Sequence, residues 1–155
     1  MAKDPLEALR RLCLSLPKAT ERLSHGEPTW FVQDKKTFVM YANHHHDDRL
    51  AFWCAAPREV QETLVVADPA RFFLPPYVGH RGWLGVYLDV PVDWRQITEL
   101  VIEAYREVAP KRLLAELEDR YAKASHRVKE SRARGERRTG DRRQDARQRA
   151  RPRGG

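Results

Sequence analysis

Hydrophobic positions recur along the chain at two spacings, and the switches between them mark the elements. Leu6, Leu9, Leu12, Cys13 and Leu16 fall three and four apart, the spacing of one helix face. Asp4 is placed to cap this helix, with Pro5 in its first turn and Glu7 at the reach-back position; Pro17 ends it. Residues 20–27 are polar and read as a connection. The period then shortens. Residues 28–32 and 37–41 read as two strands of a hairpin with Lys35 and Lys36 at its tip, and the loop 42–49 leads to a third strand, 50–54. Helical spacing returns from Ala56 with Val60, Leu64 and Ala67 inward, until Asp68-Pro69 stops it. Asp93, with Gln96 as capping-box partner, opens a helix striped by Ile97, Leu100, Val101, Ala104, Tyr105 and Val108. After Pro110, Leu113, Leu114, Leu117 and Tyr121 form one more apolar face. Beyond Ala124 the periodicity disappears, and the low-complexity, arginine-rich remainder is expected to be disordered.

The stretch 71–94 organises the rest. On strand alternation Leu84, Val86 and Leu88 share one face, purely aliphatic and expected to point into the core. Trp83, Gly85, Tyr87 and Asp89 share the other, with a gap at Gly85 where another group can approach closely. Pro75-Pro76 imposes an extended approach, and 78–82 reads as a loop. The order is helix, three strands, helix, one or two strands, then two helices. That order predicts an α+β fold, an antiparallel sheet with helices on one face, in a single domain over 1–118 followed by a tail over 119–155.

Charge sharpens this division. The 155 residues carry a net +7, but residues 1–118 hold 15 Lys+Arg against 17 Asp+Glu, a net of −2. Residues 119–155 hold 14 against 5, a net of +9. The basicity belongs to the tail. No apolar run approaches the ~20 residues of a membrane span, and the first twenty residues lack the apolar core of a signal peptide. Cys13 and Cys54 stand alone with no CxxC, as reduced thiols of a cytoplasmic protein do.

Candidate chemistry is sparse. His44, His45 and His46 beside Asp47 and Asp48 invite a metal, but consecutive residues chelate poorly and no distant His or Cys pair completes a site. The expectation is a polar loop, with no metal and no cofactor. His25, His80 and His126 are isolated, and nucleophile-elbow, phosphate-loop and HExxH patterns are absent, so a non-enzymatic protein is expected. Two kinds of binding residue stand out. Lys35, Lys36, Arg49, Arg71 and Arg81 are candidate phosphate contacts, joined by Arg137, Arg138, Arg142 and Arg143 of the tail. Trp30, Tyr77, Trp83 and Tyr87 are candidate anchors for a peptide or protein partner.

Three blocks carry a family resemblance: Gly26-Glu27-Pro28-Thr29-Trp30-Phe31-Val32 with the Lys36-x-Phe38 return, Phe73-Leu74-Pro75-Pro76-Tyr77-Val78-Gly79, and Gly82-Trp83-Leu84-Gly85-Val86 with Leu88-Asp89. With the helix around Ala104-Tyr105, they resemble the MmcQ/YjbR family of small bacterial proteins over residues 4–117. The resemblance implies a compact α-β3-α-β2-α domain, compared with frataxin-like and secretion-chaperone-like folds. It also implies a likeness to a double-wing DNA-binding domain, the origin of the DNA-binding label given to members. It supplies no catalytic residue. Nucleic-acid binding aided by the basic tail is the first expectation, and an adaptor using the aromatic face the second.

Overall fold

The computed structural model describes residues 4–44 and 47–149, with side chains through Gly135. The chain divides into two units, 1–114 and 115–155.

The first unit opens with α1 (Pro5–Leu14), where the Asp4 carboxylate accepts from Leu6 N at 3.1 Å. The sheet follows as β1 (Ala19–Ser24), β2 (Glu27–Val32), β3 (Lys36–Asn43) and β4 (Leu50–Cys54). After α2 (Arg58–Ala67) come β5 (Phe72–Phe73), a 3-10 turn at Gly79–Arg81, and β6 (Leu84–Tyr87). Helix α3 (Trp94–Val108) is capped by Asp93, which accepts from Arg95 N at 3.0 Å. Helix α4 runs over Lys111–Arg149. The six strands are antiparallel in the order β1-β2-β3-β4-β6-β5, with β6 pairing on both sides. The fold is α+β, as the order of elements predicts.

One strand is a correction. Most of the stretch 20–27, expected to be a polar connection, falls in β1 and the turn after it, and β1 is paired along its whole length with β2. It sits at the sheet edge and none of its residues is fully buried, so it leaves no hydrophobic signature. A turn signal was nonetheless present. Ser24 pairs with Glu27, leaving His25 and Gly26 as a two-residue loop with φ of 52° and 80°. Positive φ at both positions is what a tight hairpin between twisted strands requires. Gln96 departs from expectation as well: its side-chain oxygen accepts from Arg71 Nη2 instead of closing a capping box.

Register decides which side chains share a face. Glu21, Trp30, Val39, Cys54 and Leu84 form one row across the sheet, and Tyr41, Phe52, Val86 and Phe72 a second row on the same side. Between Trp30 and Phe31 the register slips, leaving Phe38 as an extra residue of β3. Helices α1 and α3 cover this face. Phe38 meets Tyr105 of α3 edge-on at 5.7 Å, and the Tyr105 hydroxyl donates to Pro17 O at 2.6 Å. Leu84, Val86 and Leu88 are buried, as alternation predicts. The opposite face carries Ala42, Ala51, Trp53, Gly85, Phe73 and Tyr87.

In the second unit the residues from Ala115 continue α4. Side chains from Glu118 to Arg132 are exposed, so no packed face holds this stretch. The sequence reading leaves the region beyond Ala124 without structure, whereas its backbone is helical through Arg149. Local terms account for a helix here. Good helix formers dominate, and Glu116–Arg120 (3.2 Å) and Asp119–Lys123 (2.9 Å) pair with the acid one turn before the base.

Candidate functional site

The predicted phosphate contacts of the folded unit fall into two groups. Lys35 and Lys36 sit at the β2–β3 turn, where Gln33 and Asp34 take positive φ (54° and 59°) and Lys35 N donates to Val32 O at 3.0 Å. Both lysines are exposed and line a small hollow of about 270 Å3 with Glu107, Ala109 and Pro110. Arg81 is exposed in the 3-10 turn.

Arg49 and Arg71 are engaged within the fold. Arg49 grips Asp89 with two bonds, Nε to Oδ2 at 2.6 Å and Nη2 to Oδ1 at 2.8 Å, and its guanidinium lies 3.8 Å from the Tyr87 ring centroid. The hydrogen bond from Arg49 holds the Asp89 carboxyl below its usual range. Arg71 reaches Asp68 at 3.5 Å and donates to Gln96. A phosphate would have to displace a carboxylate from Arg49, so that residue is a structural tie before it is a ligand. Arg137, Arg138, Arg142 and Arg143 lie on the α4 backbone, and their side chains fall outside the described residues.

The four aromatic candidates do not make one surface. Trp30 is 0% exposed on the helix-covered face. Its indole N–H donates to Glu21 Oε1 at 2.8 Å, and the same oxygen accepts from Arg10 Nε at 2.8 Å. It is a core residue whose polar edge is satisfied by a half-buried ion pair. Tyr87 is on the other face, stacked on Phe73 at 4.5 Å. Trp83 precedes β6 and is half-buried. Tyr77 is 76% exposed, held at φ 65° in the loop after the prolines.

The gap expected at Gly85 is real and has an occupant. A Cβ there would lie 2.4 Å from Phe73 Cζ, so the Phe73 ring rests on the bare backbone of Gly85. Phe73 and Trp53, which complete this aromatic layer with Tyr87, were missed as a set. Trp53 pairs with Gly85 through β4–β6, a register that only the folded sheet defines.

Gln61 was missed altogether. It is 5% exposed on α2, and its Nε2 donates to Gly79 O at 2.7 Å and Trp83 O at 2.6 Å. It pins the 79–83 loop to the helix. A polar residue amid Val60, Leu64 and Val65 was the available signal.

Other chemistry is quiet. Cys13 and Cys54 are buried; burial pushes the Cys54 thiol up to about 12 and Cys13 well above its ordinary value. Among the described residues no cluster of His, Cys, Asp and Glu could hold a metal ion. The described part of the histidine loop is His44, whose N donates to Arg49 O at 3.0 Å; His45 and His46 lie outside the described residues. No described helix is long and apolar enough to cross a membrane.

A helix-backed, six-stranded antiparallel sheet defines a small α+β domain. The YjbR family model matches residues 14–107, and the chain belongs to the YjbR family. Among solved structures it is similar to the crystal structure of Deinococcus radiodurans protein DR2400, described by the domain DUF419. That match has a TM-score of 0.59 at 21% identity, over 72% of this chain and 86% of that one, and it shows the fold. Among curated proteins none matches.

Proposed function

We propose that this YjbR-family protein is a non-enzymatic, cytoplasmic nucleic-acid-binding protein that grips the phosphate backbone through its basic C-terminal segment. One observation carries the reading: the two parts of the chain differ in net charge. In the folded unit Arg10, Arg22, Arg49 and Arg71 all pair with side-chain carboxylates, and residues 1–118 are net −2. Residues 119–155 carry +9. A cationic helix placed along a polyanion releases counterions without any base contact, which gives affinity that is steep in salt and blind to sequence. The flanks of α4 speak against self-association. Arg120, Arg127 and Arg134 recur at seven-residue intervals beside Tyr121 and Val128, where a coiled-coil partner would present the same charges.

The test is fluorescence anisotropy of a labelled duplex with the full chain, titrated with salt. Replacing Arg137, Arg138, Arg142 and Arg143 by Gln should flatten the log–log salt slope by roughly 0.9 for each phosphate no longer neutralised, so by about 3 to 4 if all four arginines touch phosphates. Lys35→Gln with Lys36→Gln should change it by less than half as much. The reading fails if the quadruple variant binds like the parent, or if binding discriminates between duplex sequences. Either result would move the interface to the sheet and its turns.

A further inference from the structure

We propose that the groove between α2 and the 74–80 loop is a docking site for the C-terminal residue of a partner polypeptide ending in an aliphatic side chain. The groove has a volume of about 670 Å3, within the range of ligand sites. Its walls are Val65, Val66, Leu74 and Pro75. Val66 is 83% and Leu74 58% exposed, and with Tyr77 they place three large apolar side chains in solvent around one loop. Scattered apolar residues are ordinary on a surface; several gathered at one concavity mark a binding site.

The polar groups of the groove are few and fixed. Gln61 is buried, lines the groove, and has both Nε2 donations taken by Gly79 O and Trp83 O. Its amide cannot turn over without losing both bonds, so Oε1 is left as the acceptor, and it makes no hydrogen bond among the described residues. Oε1 is reached by solvent, so a ligand that enters can supply an N–H to it. Three residues earlier on α2, Arg58 donates Nη2 to His80 O at 2.8 Å, which holds the guanidinium at the same end of the groove as the His80 ring. Glu62, one turn on from Arg58, lines the groove as well. Charge therefore runs from positive to negative along the helix.

A terminal aliphatic residue matches this arrangement in three ways. Its carboxylate meets the Arg58 guanidinium. Its own N–H reaches Gln61 Oε1. Its side chain lies against Val65, Val66 and Leu74, while the preceding chain leaves past Glu62. An internal segment would satisfy the walls and Gln61 but leave Arg58 without its anion.

The experiment uses the full chain and a fluorescein-labelled hexapeptide ending in Leu, as the free acid and as the C-terminal amide. The free acid should bind saturably, and amidation should weaken it by about tenfold, as removal of one charge-assisted hydrogen bond would. Arg58→Gln should bring the acid down to the affinity of the amide and leave the amide unchanged. Val66→Glu, at an exposed position that leaves the thermal melt in place, should weaken both peptides. Equal affinity of acid and amide, no saturable binding up to about 1 mM, or an unaffected Val66→Glu would each overturn the proposal.

Discussion

Gly85→Ala tests the packing of the open sheet face, because opposing terms of known size meet there. Alanine lowers the entropy of the unfolded chain relative to glycine, a gain of about 0.4–1 kcal/mol where the native conformation tolerates a side chain. Against it stands the Phe73 ring, 2.4 to 2.5 Å from the new Cβ. The ring is not free to swing. It stacks on Tyr87 at 4.5 Å and 26°, and Tyr87 lies under Arg49, which Asp89 holds with two bonds. Forcing a methyl into such packing costs about 1–3 kcal/mol, and breaking the stack up to ~1.5 more. The clash wins, and the variant is expected to lose about 1–3 kcal/mol net. Urea unfolding should show a lower midpoint at unchanged slope, and melting should fall by about 4–8 °C per kcal/mol in a domain of this size. The decisive measurement is a double-mutant cycle. Once Phe73→Ala has removed the ring, Gly85→Ala should become neutral or stabilising, a coupling well above the ~0.5 kcal/mol of independent sites. If it costs the same in both backgrounds, the close approach of Phe73 is not what keeps Gly85 a glycine.

Two further outcomes follow from the ionisable groups. Arg49 holds the Asp89 carboxyl below its ordinary value, so that pair contributes fully above the unfolded pKa of about 3.9 and is lost as pH falls through the lower folded value. Asp89→Asn should therefore lower the urea midpoint at neutral pH, and the gap to the parent should close in acid; a gap that persists at pH ~2 would refute the assignment. With Cys54 at about 12 and Cys13 pushed up by the same burial, both thiols should resist a disulfide-exchange reagent at pH ~8 in the native protein and react together in urea. Rapid labelling of the native state would contradict their burial.

The sequence by itself determined what depends on neighbours along the chain. Asp4 and Asp93 cap their helices because a carboxylate two residues before a free N–H needs no tertiary help. Leu84, Val86 and Leu88 turn inward because alternation is a property of the strand alone. The split of charge between residues 1–118 and 119–155 is likewise a matter of counting. Only the tertiary structure decided matters that require distant residues to meet. It made a strand of residues 19–24, whose side chains carry no hydrophobic period and whose Glu21 is held by Arg10 and Trp30. It turned Trp30 from a surface anchor into core, since which face of β2 is covered depends on where α1 and α3 come to rest. It joined Arg49 to Asp89 across forty residues, closing off a phosphate contact that composition alone made attractive. It also buried Gln61 beneath a loop twenty residues away, leaving one fixed acceptor in an apolar groove. Local geometry writes itself into spacing, whereas the pairing of charges and the covering of faces depend on which surfaces meet when the chain folds.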